Sequence, residues 1–190
     1  MSEHEFAVHG YRVRIVHDDG AESPREWGGL GRMLCWHRRA RLGDETVSVD
    51  EAEECVRTTT AEGGVWLPLY LYEHGGMTMA TAPFGCRWDS GQVGVIIADT
   101  AAIREQFGLP ESAPITDEIR EGARAALEAE VEVYDQWLRG DVWGFVIEDA
   151  EGNFVDSCYG FFGAKSAEEE ARGVAESLPY QLELDLEVSR

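Results

Sequence analysis

VWLPLYLYEHGGMTMATA, residues 65–82, decides the reading of the fold. Its first half, Val65–Glu73, is rich in β-formers, and the Gly75–Gly76 pair then turns the chain back into Met77–Ala82 as a hairpin. Pro68 has no N–H to give a ladder, so the first strand either lies at an edge or carries a bulge. Strands that follow one another through hairpins pair antiparallel. Working outward, Val93–Ala98 (VGVIIA) is an unbroken apolar run of the kind that fills a buried strand. Tyr11–His17 alternates along its length, Arg32–His37 reads as another strand, and Val142–Glu148 with Phe154–Tyr159 forms a second hairpin around DAEGN. Helices are predicted for Glu51–Thr58 behind an Asp50/Glu53 cap and after Asp99 as far as Gly108. A long helix follows over Asp117–Arg139 behind Thr116, and a last one runs to about Ser177 behind a Ser166/Glu169 capping box. This order predicts an α+β fold: an antiparallel or mixed sheet with about four helices packed mainly on one face. No repeat or linker divides the chain, so residues 1–190 read as a single domain. Residues 1–10 form a polar arm that can be flexible, and 181–190 a terminal strand or tail.

Charge is the strongest compositional signal. Thirty-seven Asp and Glu oppose sixteen Lys and Arg, a net of −21. Solubility needs only about 2–8 net charges on a small domain, so the excess bears on partners. Such a chain repels DNA, RNA and anionic lipid and attracts basic proteins. One lysine, Lys165, among so many arginines fits a GC-rich genome; salt adaptation is a second ordinary source of acidity. The N-terminus MSEHEFAVHG lacks the basic and apolar regions of a signal peptide. The longest apolar run, near Val65–Tyr72, falls well short of the ~20 residues that span a bilayer. The expected location is therefore the cytoplasm, with Cys35, Cys55, Cys86 and Cys158 reduced.

Three segments carry a resemblance: SPREWGGLGRMLCWHRRARLGD (23–44), LPLYLYEHGGMTMATAPFGCRWDSGQVGVIIAD (67–99), and DVWGFVIED with DSCYGFFG (141–149 and 156–163). Together they resemble a widespread family of small proteins of bacteriophages and other mobile elements that has no assigned activity. The resemblance implies a mobile-element setting in a host cell and assigns no catalytic residue.

The densest chemistry lies in the loop Pro83–Gln92. Cys86, Arg87, Trp88, Asp89, Ser90 and Gln92 place a thiol, a guanidinium, an indole, a carboxylate and an amide within seven positions. The ordinary expectation puts Cys86 and Trp88 in the core and lets Asp89, Ser90 and Gln92 satisfy loop backbone. The functional alternatives are a binding loop, or a Cys86 nucleophile with His74 as its base. Cys35-Trp36-His37 could offer two zinc ligands but lacks the usual paired cysteines. The acids at 44, 45, 50, 51, 53 and 54 lack the order of a calcium loop. No P-loop, GxGxxG, GxSxG or HExxH motif is present, and no metal or cofactor is expected.

The remaining candidate is an acidic partner surface: Glu128, Glu132 and Asp135 on one helical stripe, with Glu148, Asp149, Glu151, Asp156, Glu168, Glu169 and Glu170. Seven acids over the helix 117–139 give one per ~5 Å of axis at ~1.5 Å per residue, against one per ~1.7 Å in duplex DNA, so that helix alone is a thin mimic of it. The leading expectation is a non-enzymatic accessory protein that binds and inhibits a basic host nucleic-acid-binding or defence protein. The alternatives are a small-ligand or cysteine-dependent enzyme domain using the 83–92 loop, and a virion or assembly component. A homodimer is open, with the aromatic residues of the second hairpin as its seam.

Overall fold

The computed structural model describes residues 3–86 and 88–180. In chain order the strands are β1 (His4–Val8), β2 (Tyr11–His17), β3 (Arg32–Cys35), β4 (Glu45–Thr46), β5 (Val65–Glu73), β6 (Met77–Ala80), β7 (Ser90–Ala98), β8 (Val142–Glu148) and β9 (Phe154–Phe162). The helices are α1 (Val49–Ala61), α2 (Thr100–Gln106), α3 (Asp117–Leu138) and α4 (Ala164–Ser177). The fold is α+β, as the hairpin reading predicts. The sequence reads as one domain; the chain's contacts gather into two compact units, 1–22 with 140–190, and 23–139.

The first unit holds a four-stranded antiparallel sheet in the order β1-β2-β8-β9. Part of the polar arm thus forms strand β1. His9 and Gly10 both take positive φ between β1 and β2, the geometry of a tight two-residue hairpin. Alternation along β2 and β8 turns Val13, Ile15, Phe145 and Ile147 toward α4. The helix answers with Ala164, Ala167, Ala171 and Ala175, all buried. Small side chains at three- and four-residue spacing let it lie close on the sheet. Gly163, not Ser166, occupies the position before α4, and no side chain caps it. The predicted tail 181–190 lies outside the described residues.

The second unit is built on a five-stranded mixed sheet, β4-β3-β7-β5-β6. Only β3 and β4 run parallel; the other neighbours are antiparallel. Both features expected of Pro68 are present. Its part of β5 has β7 on one side only, because β6 pairs with Tyr70–Glu73, and the register with β7 shifts between Leu69 and Tyr70. Met33, Leu69, Leu71 and Ile96 pack with Ile103 of α2 and with Ala123, Leu127, Val131 and Tyr134 of α3. The alternate residues Leu34, Val95 and Ile97 pack instead with Ala52 and Val56 of α1. That helix starts two residues earlier than expected. Ser48, not Asp50, is its N-cap, and Glu51 completes the capping box.

Candidate functional site

The loop from Pro83 to Asp89 joins β6 to β7 and is braced from several sides. Antiparallel pairing sets Tyr72 opposite Ser90, which brings the end of β5 beside the loop. The Glu73 amide donates to the Asp89 carbonyl at 2.8 Å. The Ser90 hydroxyl donates to the Cys86 carbonyl, and the Gln92 amide donates to the Gly94 carbonyl at 3.2 Å. Ser90 and Gln92 therefore satisfy backbone, as the sequence suggests. The Asp89 carboxylate lies 3.5 Å from His74 Nδ1 and accepts from the Cys86 thiol at 3.7 Å. Tyr72 stacks near His74 at 6.1 Å and meets Phe84 at 5.7 Å.

Sequence reasoning overlooked a second layer beside this loop. Glu73 receives His37 Nε2 at 3.3 Å and Arg39 at 3.4 Å. The detectable signal was the hairpin register, which fixes Glu73 next to His74 and across from the loop.

One expectation is corrected here. Trp88 does not join the core: it stands 96% exposed, and Cys86 is half-buried. The structure does bring His74 and Cys86 to one place, where the Asp89 carboxylate meets both side chains. What this arrangement can do is hold a loop in one shape while an indole faces solvent. Arg87 lies outside the described residues.

The acidic candidates divide by what they already touch. In the 23–139 unit, Glu128 and Glu132 are exposed on α3 and line a groove of about 590 Å³ beside β6. Asp135 lines the same groove but is engaged internally. It accepts the Met79 N–H at 2.7 Å and Arg139 Nε at 2.9 Å. In the other unit, Glu148 accepts from Arg12 at 2.5 Å and Arg14 at 3.2 Å. The Arg12 hydrogen bond holds its carboxyl below the usual range. Glu168 takes Arg172 at 2.7 Å and His4 at 3.1 Å, and Arg172 likewise lowers its pKa. Glu169 meets Lys165 at 3.4 Å. Asp149 accepts the Asn153 side chain and backbone amides, which depress its pKa. Asp156 accepts the Ser157 amide at 2.8 Å. Glu151 and Glu170 are exposed. Six of the ten acids are thus spent on local partners.

A cluster that the sequence reading did not single out lies deeper. The Arg25 side chain is 8% exposed and grips Asp44 with two nitrogens, at 2.9 and 2.8 Å. Arg25 also donates to Glu130 at 2.7 Å and to the Gly31 carbonyl at 2.5 Å. Glu130 accepts the Leu30 amide at 2.6 Å and Asp44 the Met33 amide at 2.7 Å. Burial works against the Arg25 charge, but hydrogen bonds to Asp44 and Glu130 outweigh it, and its pKa is raised. Neighbouring Cys35 is pushed up to about 12 by burial and by Asp44, which leaves an inert thiol. Gly31 leaves no room for a side chain unless its neighbours move, because a Cβ there would lie 2.5 Å from the buried Ile96 and Leu127 side chains.

Among the described residues, no group of three or more His, Cys, Asp or Glu is placed to hold a metal ion. Nor is any helix among them long and apolar enough to cross a membrane. No family model matches the chain, and neither a curated protein nor a solved structure matches it.

Proposed function

We propose that this chain is a non-enzymatic acidic binding protein that docks on a basic protein through its 83–92 loop, with Trp88 as the anchor. One observation carries the reading: a nearly fully exposed indole on a loop whose shape is held by Asp89, Ser90 and Glu73. Keeping apolar surface in water costs about 25 cal/mol per Å², so an indole held in solvent has a use more often than a stability role. Tryptophan is also enriched among residues that dominate binding energy. A braced loop loses little freedom on docking.

Charge supplies the partner's chemistry. The net −21 attracts cationic surfaces over long range, and Asp89 lies beside the indole in a shallow pocket of about 240 Å³ that the Glu73–Arg39 pair also lines. The uncommitted acids Glu128 and Glu132 add to that attraction. In the mobile-element setting that the resemblance implies, the partner would be a host nucleic-acid-handling or defence protein, and the acidic chain would compete for its cationic groove.

The reading is tested with peptides selected from a random library on the immobilised protein. Selected peptides should be rich in Arg and Lys and should lose affinity as salt rises. Trp88→Ala should weaken them at least ~10-fold, about 1.4 kcal/mol. Glu128→Gln with Glu132→Gln should slow association more than it speeds dissociation. Peptides that bind Trp88→Ala as well as the parent, or that ignore salt, would overturn the reading.

A further inference from the structure

We propose that the cleft between α1 and strands β3, β5 and β7 is a small-molecule site for a planar aromatic cation. This site belongs to the other sheet face from α3, within the 23–139 unit, and of the 83–92 loop only Gln92 lines it. The short helix α1 closes only part of that face. Leu34, Ala52, Val95 and Ile97 form a sealed core beneath it. Beside that core an open cleft of about 370 Å³ remains. Its size falls within the ~300–1,000 Å³ of ordinary ligand pockets.

Trp36 and Trp66 are its aromatic walls, both only partly buried, and Val49 at its edge is 45% exposed. Core packing does not explain two indoles left accessible in one concavity. Flat aromatic walls select a flat guest, and an indole face also attracts cations.

The polar lining sets the sign of the guest's charge. Arg57 is already paired with Glu54. Gln92 has committed its N–H₂ to the Gly94 carbonyl. Glu53 lines the cleft with no hydrogen bond to a described residue, and Arg57 feels Glu54, Glu53 and Asp50 together, so acids outnumber the single base at that wall. An anionic guest would meet Glu53 and the field of a chain with net charge −21. A cationic guest would gain both the carboxylate and the indole faces.

Three probes of equal shape separate these terms: benzamidine (cation), benzamide (neutral) and benzoate (anion). Each is titrated into the ¹⁵N-labelled full chain while the six indole N–H signals are followed. Trp36→Phe and Trp66→Phe assign the two relevant signals. Benzamidine should move both, with a Kd on the order of 1 mM, as suits a probe of about nine heavy atoms. Benzamide should bind more weakly and benzoate more weakly still. Glu53→Gln lies on the exposed side of α1 and should fold normally, and it should bring benzamidine at least ~3-fold closer to benzamide. Four results would overturn the proposal: no movement of either signal at ~20 mM benzamidine, equal binding of benzoate, indifference to Glu53→Gln, or movement of Trp88 alone.

Discussion

The Arg25 cluster and the 83–92 loop are both crowded with polar side chains, yet they do opposite things. Around Arg25 every arm ends on a partner: two carboxylates take the guanidinium, the second oxygen of Glu130 takes the Leu30 amide, and Asp44 Oδ2 takes the Met33 amide as well as Arg25. Tyr134 closes the same region by accepting the Gly43 amide at 2.9 Å. The contacts are short and the charge is buried. Around Asp89 the side-chain contacts are longer, 3.5 and 3.7 Å, the groups are wet, and a large apolar ring stands in solvent. Density of polar residues therefore does not mark a binding site. The informative quantity is what remains unspent once the local hydrogen bonds are counted.

The largest test of this contrast is Arg25→Ala. It strands Asp44 and Glu130 beneath the surface, and removing one partner of a buried ion pair costs about 3–5 kcal/mol. Urea unfolding should show that loss; a change below ~1 kcal/mol would put the cluster in the same class as an exposed ion pair. Arg25→Lys should recover only part of it, because an ammonium cannot bridge Asp44 with two parallel bonds.

Trp88→Ala should leave stability within ~0.5 kcal/mol in the same experiment, since the ring buries almost nothing. Cys86→Ala should leave the affinity of selected peptides within about twofold, because the thiol only helps brace the loop. Large losses in either would erase the distinction between the two regions.

The smallest effect concerns pH. Glu148 and Glu168 have pKa values held below their unfolded values by Arg12 and Arg172. Their contribution is fully present above the unfolded carboxylate range and fades as pH falls through the lowered folded values. Urea midpoints measured from about pH 6 to about pH 3 should therefore fall, and Glu148→Gln should flatten the slope slightly. A slope unchanged by that substitution would separate acid sensitivity from this carboxylate.

Local pattern made most elements readable. The alternation of Tyr11–His17, the apolar run ending at Ala98 and the three-four spacing of α3 each have one physical solution, and the structure adopts it. Helix starts were less readable for a definite reason. Ser48/Glu51 and Asp50/Glu53 both fit the same capping pattern, and only backbone geometry chooses between them. β1 was hidden because HEFAV is short and half polar; it becomes a strand by pairing with β2. The adjacency of β2 and β8 joins positions over a hundred residues apart, which no window of sequence reports. At the 83–92 loop the residues were legible, but their arrangement was not. Whether an indole turns inward or outward depends on space that neighbouring elements have already filled.

Asp135 has one further consequence. Strand β6 is the last in its row, and its open margin would invite another polypeptide to zip alongside. The carboxylate sits on the Met79 amide at that margin and withholds the donor a newcomer would need. A contact that fastens a helix to a strand thereby also guards the chain against runaway polymerisation into fibres.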